Sequence, residues 1–127
     1  MRSLDTNIIL RFLLRDVPAQ SAKAIAVVAK SKCYVTDVVI TETIFVLEKV
    51  FDAPRKDIAS SLNSFLSFPN LLSNADLLHD VIELYRKRDS LSIIDCYAAV
   101  EANVSGKQLV TFDRKLLKYG GDHVIEP

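Results

Sequence analysis

The chain has 127 residues and a mass of 14.2 kDa, and 50% of its residues are hydrophobic and 25% charged, which is typical of one ordinary globular domain. Sixteen Lys and Arg balance sixteen Asp and Glu, so the chain lacks the basic footprint of a general nucleic-acid binder. The two cysteines form no CxxC pair, which excludes a zinc knuckle. No apolar run approaches the roughly 18 residues that cross a bilayer, which excludes a membrane span. Together these features predict a cytoplasmic protein.

Short β-like runs alternate with longer amphipathic segments along the whole chain. The predicted strands are, in order, Arg2–Leu4, Cys33–Thr36, Leu71–Leu72, Gln108–Thr111 and His123–Ile125. The predicted helices are Thr6–Arg15, Ala19–Ser31, Asp37 to about Phe51, Pro54 to about Ser67, Ala75–Arg88, Ser92 to about Gly106, and Arg114–Tyr119. Strands that alternate with helices indicate parallel pairing. We therefore predict an α/β fold, a three-layer α/β/α sandwich with a short, mainly parallel central sheet, in a single domain over residues 1–127.

Polar residues mark several of the predicted helix starts. Asp16 lies two residues before Pro18 at the start of the second helix, and Asp37 lies at the start of the long third helix, so each is expected to be an N-cap. Ser92 with a carboxylate three residues on, at Asp95, forms a variant of the capping box.

Four acids stand at the ends of predicted elements. Asp5 follows the first strand and Asp113 the fourth, and sites in open parallel sheets form where the C-terminal ends of strands meet. Asp95 lies in the first turn of the helix before the fourth strand, and Glu42 lies in the helix after the second, among apolar residues. A carboxylate in such a stretch has to be paired, hydrogen-bonded or metal-bound, because an isolated buried charge is expensive.

A structural role also explains Asp5, Asp113 and Asp95 when each is considered alone. Asp5 and Asp113 could simply be N-caps, and Asp95 lies where a helix dipole favours an anion. Glu42 has no positive neighbour one turn further on. The functional interpretation depends on the occurrence of all four acids at the ends of elements that a parallel sheet would bring together. Two carboxylates about 5 Å apart repel by about 3 kcal/mol at an effective dielectric of about 20, so four that converge need protons or a cation.

An all-oxygen ligand set without nearby Cys or His suits a hard divalent ion, Mg²⁺ or Mn²⁺. Such an ion assists phosphodiester hydrolysis. Asn7 and Thr111 are candidates to orient a carboxylate or a water, although both could equally be turn residues. Arg11 and Arg114 are candidates to hold a phosphate backbone, and the alternative for each is a solvated helix surface.

At these residues the sequence resembles a PIN domain, and within that group the VapC-like toxin ribonucleases of bacterial and archaeal type II toxin–antitoxin pairs. The similarity spans essentially the whole chain, at Leu4–Arg11, Thr41–Glu48, Asp95 and Thr111–Leu116. One departure is Ile93–Ile94 before Asp95, where the family often has an aromatic and a small residue.

The resemblance implies a PIN-like fold and a function. It puts the metal-binding and catalytic acids at Asp5, Glu42, Asp95 and Asp113, with the supporting polar residues at Asn7 and Thr111. The implied activity is that of a Mg²⁺-dependent endoribonuclease, with Mn²⁺ as a substitute ion, RNA as substrate and a cognate antitoxin as inhibitor. The first and third predicted helices are unusually apolar, which indicates an exposed groove or a dimer contact and fits the antitoxin binding and homodimerisation that the resemblance implies.

Two other function classes stay open. A phosphatase would use Asp5 as a nucleophile, but no second acid follows two residues on. A non-catalytic PIN-like module for RNA binding or protein interaction would have no reason to keep mutually repelling carboxylates.

Overall fold

The computed structural model describes all residues, Met1–Pro127. It contains five strands of two residues each: β1 (Arg2–Ser3), β2 (Cys33–Tyr34), β3 (Leu71–Leu72), β4 (Leu109–Val110) and β5 (Val124–Ile125). Its seven helices are α1 (Thr6–Leu14), α2 (Pro18–Lys30), α3 (Asp37–Lys49), α4 (Arg55–Leu66), α5 (Ala75–Lys87), α6 (Ile93–Val104) and α7 (Arg114–Tyr119). The chain forms two compact units, Met1–Ala75 and Asp76–Pro127.

In the first unit, three parallel strands pair in the order β1-β2-β3. Helix α1 packs against α2 and α3, and α3 packs against α4. The core between these elements is aliphatic, and its fully buried members include Ile9, Ile40, Ile44 and Leu62. At one side of this core the ring of Phe12 lies 5.5 Å, centroid to centroid, from the rings of both Phe65 and Phe68.

In the second unit, β4 and β5 pair in parallel, α6 packs against β4, and α7 contacts β5. Helix α5 buries one face, on which Leu78, Val81, Ile82 and Tyr85 lie one turn apart. Gly120 lets α7 close onto β5, because a Cβ at this position would come 2.8 Å from the Cγ2 atom of Val124.

The predicted α/β class with short parallel strands is confirmed, and the helices begin and end within two residues of their predicted limits. Strand β3 has its predicted bounds, and the other four strands are shorter than predicted. The backbone N–H groups of Leu4 and Val35 still donate to the neighbouring strands, but Asp5 and Thr36 then cap helices and turn the chain out of the sheet.

Two predicted caps are wrong. The N-cap of α2 is Val17, with Pro18 at the helix start, and Asp16 instead forms an ion pair with Arg11. The N-cap of α3 is Thr36, whose hydroxyl oxygen accepts from the backbone N–H of Val39 at 3.2 Å. Asp37 lies in the first turn of α3, where the helix dipole favours an acid.

Apolar side chains are exposed on α3. Val38 is 72% exposed and Phe45 50% exposed, whereas the apolar residues of α1 are buried or half-buried. No helix combines the length and the apolar character needed to cross a membrane.

Candidate functional site

In the first unit, Asp5 and Glu42 line one cavity. Asp5 is the N-cap of α1, and its Oδ1 accepts from the backbone N–H of Ile8 at 3.0 Å. Glu42 projects from α3, and its Oε2 accepts from the hydroxyl of Thr6 at 2.9 Å. The cavity has a volume of about 420 Å³ and is also lined by Thr6, Asn7, Leu10, Val39 and Val46. The structure thus brings two of the four acids and Asn7 together.

Glu42 is exposed, although the apolar sequence around it predicts a buried charge. The helical phase of α3 explains the difference, since Val38 and Phe45 share the exposed face with Glu42 while Thr43 and Ile44 turn inward. The carboxylate therefore keeps its access to solvent. Burial therefore does not force the Glu42 carboxylate to have a partner, contrary to the expectation from sequence.

A second cavity, which Asp5 and Asn7 also line, has a volume of about 530 Å³. Arg11 and Lys23 bring positive charge to its wall. The Arg11 side chain is 16% exposed, and its Nη1 lies 3.1 Å from the Asp16 carboxylate. Its Nε is buried without a hydrogen-bond partner. Two cations thus lie beside Asp5, one of them already engaged by an acid.

In the second unit, Asp95 is half-buried at the start of α6. The predicted capping box is confirmed: the Ser92 Oγ accepts from the backbone N–H of Asp95 at 3.1 Å, and the Asp95 Oδ2 accepts from that of Ser92 at 3.2 Å. The reciprocal bonds fix the rotamer of the carboxylate.

Asp113 is the N-cap of α7, and its Oδ1 accepts from the backbone N–H groups of Lys115 and Leu116 at 2.9 and 3.0 Å. The Thr111 hydroxyl oxygen accepts from the backbone N–H of Asp113 at 3.0 Å. Arg114 is exposed and forms an ion pair with Glu126. Thr111 therefore supports the backbone that carries Asp113.

The four acids share one arrangement. Each has a carboxylate oxygen held by a hydrogen bond, namely Oδ1 of Asp5, Oε2 of Glu42, Oδ2 of Asp95 and Oδ1 of Asp113. The second oxygen of each accepts no hydrogen bond from the protein. Neither unit by itself gathers three His, Cys, Asp or Glu side chains that could hold a metal ion. The open donors are all carboxylate oxygens, the kind that a hard divalent cation prefers.

Sequence reasoning missed three residues here, one of which is Lys23 in the wall of the second cavity. Thr6 bonds to Glu42 across 36 positions of sequence, so no local pattern could reveal it. Asp16 has the sequence context of a cap but forms an ion pair with Arg11, and a separation of five residues matches no regular helical pairing that would have indicated it.

Comparison with known proteins agrees with the fold. The PIN domain family matches residues 3–122 of this chain. The VapC ribonuclease of Aquifex aeolicus (strain VF5) is 29% identical over 130 residues, an alignment that covers 94% of this chain and 93% of that protein. The predicted resemblance is confirmed over nearly the full length, and the chain belongs to the PIN domain family.

Proposed function

We propose that this protein is a VapC-like nuclease, a metal-dependent endoribonuclease that hydrolyses RNA phosphodiester bonds as the toxin of a toxin–antitoxin pair. The observation that carries the proposal is the common arrangement of Asp5, Glu42, Asp95 and Asp113, in which one oxygen is held and the other is open. Membership of the PIN family and the similarity to a VapC ribonuclease support it.

The four acids would together hold Mg²⁺, with Mn²⁺ as a substitute, because carboxylates are hard donors and no thiolate or imidazole is part of the set. When bound, such an ion activates a water molecule for attack and neutralises charge on the phosphoryl oxygens.

The protein's own contribution is orientation. The N-cap bond presets the rotamer of Asp5, and the capping box does the same for Asp95. The Thr6 hydroxyl, which is not a proposed metal ligand, donates to Glu42 and fixes its orientation. The Thr111 hydroxyl accepts from the backbone N–H of Asp113 and fixes the turn before α7. Carboxylates fixed in advance need no reorganisation during the reaction, which lowers its barrier.

Cations beside these acids would hold the phosphates that flank the cleaved bond. Arg11 and Lys23 line the cavity shared with Asp5, and Arg114 directly follows Asp113 in sequence. Arginine binds phosphate through a fork of N–H donors. Because Arg114 is exposed and paired only with an exposed Glu126, exchange of that partner for a phosphate costs little.

A cognate antitoxin and a second copy of the chain are the proposed protein partners. An apolar cleft of about 380 Å³ lies between α1, α2 and the segment before β3, lined among others by Phe12, Val28 and Phe68. It fits apolar side chains of an antitoxin helix. The exposed Val38 and Phe45 of α3 fit a dimer contact, and a monomer at high concentration in light scattering would contradict the dimer.

A cleavage time course on structured total RNA tests the activity, with Mg²⁺, Mn²⁺ or EDTA and with Asp95→Asn beside the wild type. We expect discrete fragments that require both the metal and Asp95. Asp57→Asn is the matched control, since Asp57 also lies in the first turn of a helix, α4, and lines neither cavity of Asp5. Cleavage by Asp95→Asn at the wild-type rate would contradict the proposal. RNA binding without cleavage in any metal would favour a non-catalytic RNA-binding module.

A further inference from the structure

Phe112 is the most exposed large hydrophobic side chain of the protein, with 84% of its surface open to solvent. It lies between β4 and α7, directly before Asp113. An aromatic ring so placed contributes almost nothing to folding, because it removes little apolar surface from water. Its position next to a candidate catalytic acid therefore needs another explanation.

The backbone on both sides of Phe112 is held in place. The backbone N–H of Thr111 donates to the carbonyl oxygen of Ile125 at 3.0 Å, and that of Asp113 donates to the Thr111 hydroxyl at the same distance. Asp113 then caps α7. The ring is presented by a fixed turn, which limits the conformational entropy that binding would cost.

The two residues after Asp113 carry positive charges that suit the phosphate of a nucleotide. Arg114 and Lys115 are exposed cations, which suit the phosphates of a nucleic-acid backbone. Unpaired bases offer an apolar face that stacks on aromatic side chains, whereas bases within a duplex do not. The exposed apolar surface of this turn is limited to Phe112 and the 55% exposed Val110, which suits one base better than an apolar protein surface, since the latter needs a larger contiguous patch.

We propose that Phe112 stacks on an unpaired base of the RNA substrate, beside the phosphodiester bond that is cut. The inference rests on the proposed nuclease function and deepens it, since it names a residue that would position the substrate next to Asp113. Stacking is independent of base identity. Phe112 would therefore select unpaired over paired RNA and leave the choice of sequence to other residues.

The chain contains no tryptophan, so Phe112→Trp introduces a single indole as a probe. In EDTA, where hydrolysis is suppressed, the variant is titrated with a ten-nucleotide single-stranded RNA, its duplex form, and a strand with abasic sites. We expect quenching by the single strand alone. Val104→Trp is the matched control, because Val104 is 63% exposed but lies at the end of α6 opposite Asp95, and its fluorescence should not respond.

Affinity measurements add a second readout. Phe112→Ala and Phe112→Leu should both weaken binding of the single strand by about 5- to 150-fold, the range found when one stacked aromatic is removed. Both should unfold at the wild-type urea concentration, because the ring is exposed. Wild-type affinity in the leucine variant, or equal quenching by the abasic strand, would overturn the proposal. Quenching by an antitoxin but not by RNA would assign the ring to a protein partner and would also overturn it.

The two proposals fail separately. An unquenched Phe112→Trp in a protein whose wild type still cleaves RNA refutes stacking and leaves the nuclease intact. Quenching together with no cleavage in any metal supports stacking and refutes hydrolysis.

Discussion

Asp5 combines two roles that a single substitution can separate. As the N-cap of α1 it satisfies the backbone N–H of Ile8, and as a proposed metal ligand it supplies a charged oxygen. Asparagine caps a helix about as well as aspartate, so Asp5→Asn should lose only a few tenths of a kcal/mol of unfolding free energy, mainly from the helix dipole. Alanine removes the cap and should cost about 1 kcal/mol.

These costs predict distinct unfolding curves. With a urea dependence of about 1.5 to 2 kcal/mol per M, loss of the cap lowers the midpoint by about 0.5 to 0.7 M in Asp5→Ala. The midpoint of Asp5→Asn should shift by less than half as much. Far-UV circular dichroism in urea measures both values.

Cleavage, unlike stability, should not distinguish the two variants. Both variants should lose at least about 100-fold in RNA cleavage, equivalent to about 2.7 kcal/mol of transition-state stabilisation. Unfolding cannot account for this loss in Asp5→Asn, because a domain with about 5 kcal/mol or more of stability stays over 99% folded after losing a few tenths. Wild-type cleavage by Asp5→Asn would refute the reasoning, and so would a midpoint as low as that of Asp5→Ala.

Three further outcomes are expected. Thr6→Val removes the hydroxyl that holds Glu42 and should weaken Mn²⁺ binding in calorimetry by about 10- to 100-fold, whereas Thr6→Ser should retain it. Ser92→Ala opens the capping box and should cost about 1 kcal/mol in thermal unfolding, a loss that Ser92→Thr should largely avoid. The hydrogen bond from Arg86 holds the pKa of Glu83 below its ordinary value of 4.5, so this pair stabilises the fold above that pH and loses its contribution as the pH falls through the lowered value. Acid titration of Glu83→Gln should lack this part of the transition, and an unchanged curve would contradict the assignment.

Much of the fold was predictable from local sequence. Amphipathic segments together with proline and cap residues located the helices, and the capping box at Ser92 and Asp95 was predictable because both partners lie within one turn. The cap of α2 was not predictable, because Asp16 has two competing partners and tertiary structure selects Arg11. Local sequence patterns show which partners a side chain could bond to, and tertiary structure determines which of these bonds forms.

The four candidate acids also differ in how far away in sequence their hydrogen-bond partners lie. The local anchors of Asp5, Asp95 and Asp113 lie two or three residues away in sequence, which is why cap patterns indicated them. The anchor of Glu42 is Thr6, 36 positions away. Its exposure also escaped prediction, since a helix with apolar residues on several faces gives no clear phase.

The anchors differ in how they respond to mutation. The carboxylates of Asp5, Asp95 and Asp113 are held by main-chain N–H groups, which every residue except proline provides. A substitution at the residue that provides the N–H group therefore leaves each of these three donors in place. Glu42 is held by a side chain, so its orientation depends on a hydroxyl at position 6. Of the four anchors, the one at Thr6 is therefore the most sensitive to substitution of the residue that provides it.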